Sequence, residues 1–303
     1  MARIYHEGEL AVQSQAGVTP QACEVGKIVR PFIPPAAQAF AREQRIAVLS
    51  TADPQGQVWA SLLSGPAGFL QAADDLLRSE RLPVEGDPGR ENLGPGAQAG
   101  VLIIDLATRR RMRVNGTVAA VDSGFSLHPR EVYGNCPQYI HVREAEPDQP
   151  GAGRSVLSGS SLSDAQREWI AGAATFFLAT RHPEAGADAS HRGGAPGFVR
   201  VPDANHLRFP DYPGNKMFNS LGNIAVEPRA GLLFVDFETG ASLQLTGRAS
   251  VLWEPEARRD FPGAERVVEF EAASVVEIGG ATAVRLRLAQ FARTPPAQGA
   301  ATD

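Results

Sequence analysis

A chain of 303 residues with 21% charged and 43% hydrophobic side chains is long enough for two ordinary domains and has the balance of a soluble globular protein. Its net charge of −5 offers no long-range attraction to a polyanion, which argues against nucleic acid as a partner. No apolar run approaches the ~20 residues of a membrane span, and MARIYHEGEL lacks the apolar core of a signal peptide, so a cytoplasmic location without a membrane partner is expected. The two cysteines, Cys23 and Cys136, have no C-x-x-C spacing and imply neither a disulfide framework nor a zinc site.

Residues 1–30 carry no decisive pattern. PPAAQAFAREQR, Pro34 to Arg45, predicts a helix opened by proline, rich in alanine and free of internal breakers. IAVLST then reads as an apolar strand, DPQG at Asp53–Gly56 as a turn, and VWASLLSG as the returning strand of a β-hairpin. GVLIIDL is a buried strand, and RRMRVNGTVAAV alternates as a half-exposed one, which makes RRRMR at Arg109–Arg113 a solvated basic face. Residues 144–163 are rich in Gly, Ser and Pro and read as a linker. A helix restarts at SDAQREWIAGAA, where Ser163 and Gln166 have capping-box spacing. FFLAT, GFVRV, HLRFP, GLLFVDF, ASLQLTGRASVLW and AVRLRLAQF supply further strands. Each half is thus one helix followed by short strands and turns, a mainly β (α+β) pattern that favours a barrel over a parallel sheet.

The halves repeat one another. Leu49–Phe69 aligns without a gap on Leu178–Phe198, with eight identities in 21 positions at a constant offset (180 − 51 = 129). Gly100–Gly116 aligns on Gly231–Gly247 with five identities in 17. A unit this long is a whole domain rather than a solenoid repeat. The predicted organisation is a first repeat with an N-terminal extension at 1–143, the linker at 144–163, a second repeat at 164–294 and a disordered tail at 295–303.

The copies differ where chemistry is expected. Leu62-Leu63-Ser64 in the first stands against His191-Arg192-Gly193 in the second, next to Ser190. A hydroxyl, a guanidinium and accessible amides within five residues suit a phosphate; a surface turn with an exposed arginine is the plainer alternative. The second copy alone also holds Asn215, Lys216, Asn219 and Asn223, on a segment whose MFNSLGNIAV predicts a helix with its N-terminus toward an anion, or else a polar surface helix.

These residues carry a resemblance. Leu178–Thr180, Ser190, Arg192, Gly193, Gly197–Phe198, Gly214–Lys216, Asn219, Pro228–Arg229 and Gly231–Phe237 resemble the pyridoxamine 5′-phosphate oxidase-like FMN-binding split barrels. The likeness is closer over Phe176–Val251 than over Ile46–Ile140, and Glu227 stands where the family's N-P-R triplet has asparagine. It implies two tandem split β-barrel repeats forming an intrachain pseudo-dimer, with FMN as cofactor. Ser190, Arg192 and Lys216 would grip the phosphate, with Gly193, Asn215 and Asn219 assisting. The first copy would lend residues to the flavin ring, Trp59 as a stacking candidate and YGNCPQYI at Tyr133–Ile140, although a core role for Trp59 is the commoner use of such a residue. Gln138 replaces a usual lysine or arginine there. Cys136 reads as a small buried side chain or a thiol near flavin.

The implied activity is an FMN-dependent oxidoreductase passing electrons or hydride from a reduced nicotinamide or deazaflavin to a small acceptor, with no catalytic side chain identified. A flavin- or haem-binding carrier or sensor without turnover is the alternative, and a homodimer of the whole chain stays open. A true pyridoxamine 5′-phosphate oxidase is not expected, because the family's C-terminal R-L-x-P element is absent and Arg285 and Arg287 fit an alternating strand. The six histidines show no metal-binding spacing, GPGAQAG precedes a strand where a dinucleotide fingerprint would follow one, and no G-x-S-x-G elbow exists.

Overall fold

The computed structural model describes residues 4–149 and 153–293; the predicted tail at 295–303 lies outside them. Two N-terminal helices, α1 (Glu7–Gln15) and α2 (Thr19–Gly26), precede the first repeat, where the sequence offered no clear pattern. The capping box of α1 has His6 in place of the usual serine or threonine, with Glu9 closing it.

The first repeat is α3 (Pro35–Glu43), β1 (Ile46–Ala52), β2 (Val58–Ser64), β3 (Leu70–Ala73), β4 (Leu76–Ser79), β5 (Gln98–Asp105), β6 (Arg110–Val121) and β7 (Phe125–Gly134). These strands form one antiparallel sheet in the order β2-β1-β5-β6-β7-β4-β3. Next come β8 (Val142–Glu146) and β9 (Ser155–Gly159), so the segment read as a linker also supplies strand structure. The second repeat is α4 (Asp164–Gly172), β10 (Thr175–His182), β11 (Gly186–Gly193), β12 (His206–Asp211), α5 (Asn219–Val226), β13 (Arg229–Asp236), β14 (Ala241–Leu252), β15 (Arg266–Gly279) and β16 (Arg285–Gln290). Its sheet runs β11-β10-β13-β14-β15-β12, with β9 also on β15. The fold is mainly β, two tandem split-barrel repeats.

The capping box at Ser163 and Gln166 forms as its spacing predicts. GFVRV does not form a strand: Gly197 sits at φ +88° in a turn, and only Arg200 bridges to Arg208. The 14-residue β15, the longest strand, had no counterpart among the predicted elements. No helix among the described residues is long and apolar enough to cross a membrane.

Strand periodicity explains why the repeats adhere. On β1, Ala47 and Leu49 point into the first barrel, while Ile46 and Val48 point out of it. On β10, Phe176 and Leu178 face the second barrel, and Phe177 and Ala179 face outward. The outward sets meet in a third apolar core with Leu102, Ile104 and Leu233 between the barrels. Both faces of these strands are therefore buried, which is why they read as continuous apolar runs. The contact is pseudo-symmetric and tight. A Cβ on Gly100 would lie 2.7 Å from the Ala187 carbonyl oxygen, and one on the equivalent Gly231 would lie 2.6 Å from that of Val58. Finally β16 pairs antiparallel with β8, tying the end of one repeat to the end of the other.

Candidate functional site

A cleft of about 830 Å³, counting the part open to solvent, lies between the repeats. The second repeat contributes Arg192 and Gly193 from the end of β11, Gly214–Lys216 from the loop between β12 and α5, and Asn219 and Ser220 from the first turn of α5. The first repeat contributes Arg111 and Arg113 from β6, and Asn135, Cys136, Gln138 and Tyr139 from beyond β7. The structure thus gathers Arg192, Gly193, Asn215, Lys216 and Asn219 on one wall. Ser190 stands one layer behind it, buried, within 3.1 Å of the Ser220 hydroxyl that faces the cleft. Trp59 is not at this cleft at all; it packs with Val276, Ile278 and Ala281.

An ionic chain sets the cation positions. Arg192 Nη1 lies 2.7 Å from Asp211 Oδ1, Arg266 is 3.2 Å from the other oxygen of that carboxylate, and Arg266 also pairs with Glu265. Glu265 in turn holds Lys216 Nζ at 3.1 Å. Across the cleft Arg113 Nη1 reaches both oxygens of Asp188, at 2.9 and 2.8 Å, and donates to the Tyr133 hydroxyl. Burial opposes the charge of Arg113, but the Asp188 carboxylate more than offsets it and holds the guanidinium's pKa above its ordinary value.

Arg111 differs from these. Its Nη2 donates to the Cys136 carbonyl at 2.7 Å and its Nη1 faces His191 Nδ1 at 3.1 Å, with no carboxylate partner among the described residues. Burial, then the neighbouring Arg113 and Arg192, pull its pKa down to about 9. His191 is pushed well below its ordinary value by burial and by Arg111, so it is neutral. Since a guanidinium can only donate, Nδ1 accepts and the proton sits on Nε2. Four cations line the cleft, Arg111, Arg113, Arg192 and Lys216, with one lining carboxylate, Asp211; Asp188 and Glu265 pair with Arg113 and Lys216 from behind it, and Arg111 is left without a carboxylate among the described residues.

Polar groups here wait for partners. Arg111 Nε, Arg192 Nε, His191 Nε2 and Asn135 Oδ1 are buried without a hydrogen bond among the described residues. The N-cap residue of α5, Phe218, gives no side-chain cap, so the first amides of that helix are open. Lys216 (φ +65°) and Phe218 (φ +63°) both hold left-handed backbone, the kind of strain that persists where packing enforces it.

Sequence reasoning missed Arg111 and Arg113. RRRMR was read as solvated, yet strand alternation sends Arg110 out over Phe40 while Arg111 and Arg113 turn toward the second repeat. The period-2 signal was visible, but the partner surface that buries one face was not. Of the two readings of Cys136, the buried side chain fails: the residue is exposed and lines the cleft.

His6, Glu7 and His182 also gather closely. Both imidazoles accept backbone N–H groups at Nδ1, His6 from Gly8 and His182 from Glu184 and Ala185. The proton must then sit on Nε2, from which His6 donates to Asn223 and His182 to Glu7. A metal-bound imidazole instead donates from its second nitrogen. The trio is a hydrogen-bonded brace.

The family model described as pyridoxamine 5′-phosphate oxidase matches the chain twice, at residues 33–150 and 162–293. No curated protein matches it. Similar solved structures include a candidate pyridoxamine 5′-phosphate oxidase from Lactobacillus delbrueckii (19% identity, 40% of this chain and 97% of that one, TM-score 0.33). HupZ from Group A Streptococcus is 11% identical over 44% of this chain and 100% of that one, TM-score 0.30. The FAD binding protein from Mycobacterium smegmatis is 14% identical over 41% and 98%, TM-score 0.27.

Proposed function

The chain belongs to the pyridoxamine 5′-phosphate oxidase family, and from that premise we propose that the cleft between its repeats binds FMN and that the protein is a flavin-dependent oxidoreductase. The observation that carries this reading is the excess positive charge of the cleft, together with buried donors that lack partners. Arg192, Lys216 and the open N-terminus of α5 suit the phosphate, with Asn215 and Asn219 beside them and Ser190 supporting through Ser220. Arg111, Asn135, Cys136 and Tyr139 bring the first repeat to the same ligand. Bound flavin would supply the hydride and electron chemistry. The protein's part is to hold and orient the ring and to limit water at it. A reduced nicotinamide or deazaflavin is the proposed donor, and a small molecule the acceptor.

Pyridoxamine phosphate oxidation is not proposed. Arg285 is buried and donates to the Thr282 and Val284 carbonyls, while Arg287 pairs with Glu144 and Glu146 on β8. Arg285 is committed to the turn before β16 and Arg287 to the β8–β16 ribbon.

Titration with FMN, followed by the visible spectrum and fluorescence quenching, tests the reading. About one FMN per chain is expected. Arg192→Ala should weaken binding by roughly 1.5–3 kcal/mol, the range for a hydrogen bond to a charged group. Absent quenching by the wild-type chain would remove FMN from the cleft. Bound flavin that neither NADH nor NADPH reduces would favour a carrier or sensor.

A further inference from the structure

The family match begins at residue 33, so α1 and α2 lie outside it. Yet α1 is built onto the helix that borders the cleft. The two helices cross at Gly8 and Gly222 with no room for a side chain at either position. A Cβ on Gly8 would lie 2.2 Å from the Gly222 carbonyl oxygen, and one on Gly222 would lie 2.6 Å from the Glu9 nitrogen.

This close crossing lets three side chains of the N-terminal segment reach the loop and helix of the second repeat. Gln13, fully buried, donates from Nε2 to the Met217 carbonyl at 3.0 Å. Met217 lies between the two left-handed residues, Lys216 and Phe218. Glu9, also buried, accepts from Asn219 Nδ2 at 2.6 Å. His6 Nε2 donates to Asn223 Oδ1 at 3.0 Å. Met217 further packs with Tyr5 and Ala22 of the N-terminal segment and with Tyr133 of β7. A strained turn needs contacts that over-determine it; the barrel supplies Tyr133, Glu265 and Arg266, and the N-terminal segment adds Gln13 and Glu9 from outside it.

We infer that α1 is a positioning element for the cleft: Gln13 and Glu9 hold the Lys216–Asn219 turn in the conformation that presents Lys216 and the first amides of α5 to an anionic ligand. The ligand half of this statement rests on the FMN reading; the loop-holding half does not.

Hydrogen–deuterium exchange of residues 214–222 without flavin, combined with FMN titration, separates the two. Gln13→Ala should raise exchange at Met217–Asn219 and weaken FMN about five- to thirtyfold, as the loss of one buried interaction would. Glu9→Ala should do the same. Glu9→Gln keeps an oxygen for Asn219 but turns its NH2 on the His6 amide that the second carboxyl oxygen accepts from, so it should recover both readouts in part, which a general loss of stability would not. Wild-type exchange across 214–222 in Gln13→Ala and Glu9→Ala would overturn the inference and leave the FMN reading standing. Raised local exchange in a chain whose wild type ignores FMN would support the loop-holding role and remove only the choice of ligand.

Discussion

At the face made by β11 and β6, Asp188 meets Arg113, with Asn115 and Tyr133 completing a polar cluster. At the pseudo-equivalent face made by β2 and β14, Trp59 occupies the position of Asp188, Gln244 that of Arg113 and Val276 that of Tyr133. There Trp59 packs against Val276 and Ile278, and Gln244 donates to the Ala60 carbonyl. The flanking elements differ as well. Where the second repeat has the eight-residue α5, the first has only a 3-10 turn at Pro88–Arg90. One scaffold position thus supports two solutions: apolar volume fills one face, and paired charge keeps the other polar and concave. The proposed single flavin per chain follows from this difference.

The sharpest way to break the comparison is to remove the defining residue on each face. Asp188→Ala leaves Arg113 buried without its carboxylate and should cost about 3–5 kcal/mol of stability. Trp59→Ala should cost a similar ~3–5 kcal/mol through the cavity it opens. Denaturant unfolding measures both, and FMN titration separates them: Trp59→Ala should keep wild-type affinity per folded chain, whereas Asp188→Ala should lose it.

Arg111→Ala sharpens the comparison through opposite signs. Affinity for FMN should fall by roughly 1.5–3 kcal/mol, while the melting temperature should not fall, because a buried charge without a carboxylate partner is removed. A drop in melting temperature with unchanged affinity would make Arg111 a structural residue.

The smallest effect concerns pH. Burial raises the Glu9 carboxyl to about 8, against the His6 backbone N–H and Arg113 and with the reinforcement of Glu131 and Asp188; the His6 ring also faces it. The folded state therefore holds a proton that the unfolded chain releases near its ordinary value of 4.5. Glu9's contribution is fully present below about pH 4.5 and is lost as pH rises through about 8. Glu9→Gln should flatten that part of the stability profile. An unchanged slope would show that Glu9 ionises freely in the folded chain.

Most of the barrel elements were legible because both signals that specify them are local. Turn chemistry at Asp53–Gly56 and the continuous apolar runs of β1, β5, β10 and β13 need no knowledge of partners. The wall formed by Arg192, Lys216 and Asn219 was legible for another reason: the repeat made its residues stand out against Leu63 and the glycine-rich stretch of the first copy. The opposite wall was not. Arg111 and Arg113 are indistinguishable in sequence from a solvated basic strand until β11 is laid against them. Trp59 was placed by alignment with Asp188, which is correct as geometry, but that equivalence puts it at the other face. The N-terminal helices were hidden because a histidine caps the first.

The pairing of β16 with β8 ties the end of the second repeat back to the start of the connecting segment, so the repeats are joined there as well as along the chain. In an assembly of two identical subunits every substitution is made twice, so a change that suits one pocket is imposed on the other, and association weakens on dilution. Within one polypeptide neither constraint applies. Each pocket can drift on its own, one losing its ligand while its partner keeps it, and both repeats still supply walls to the working one.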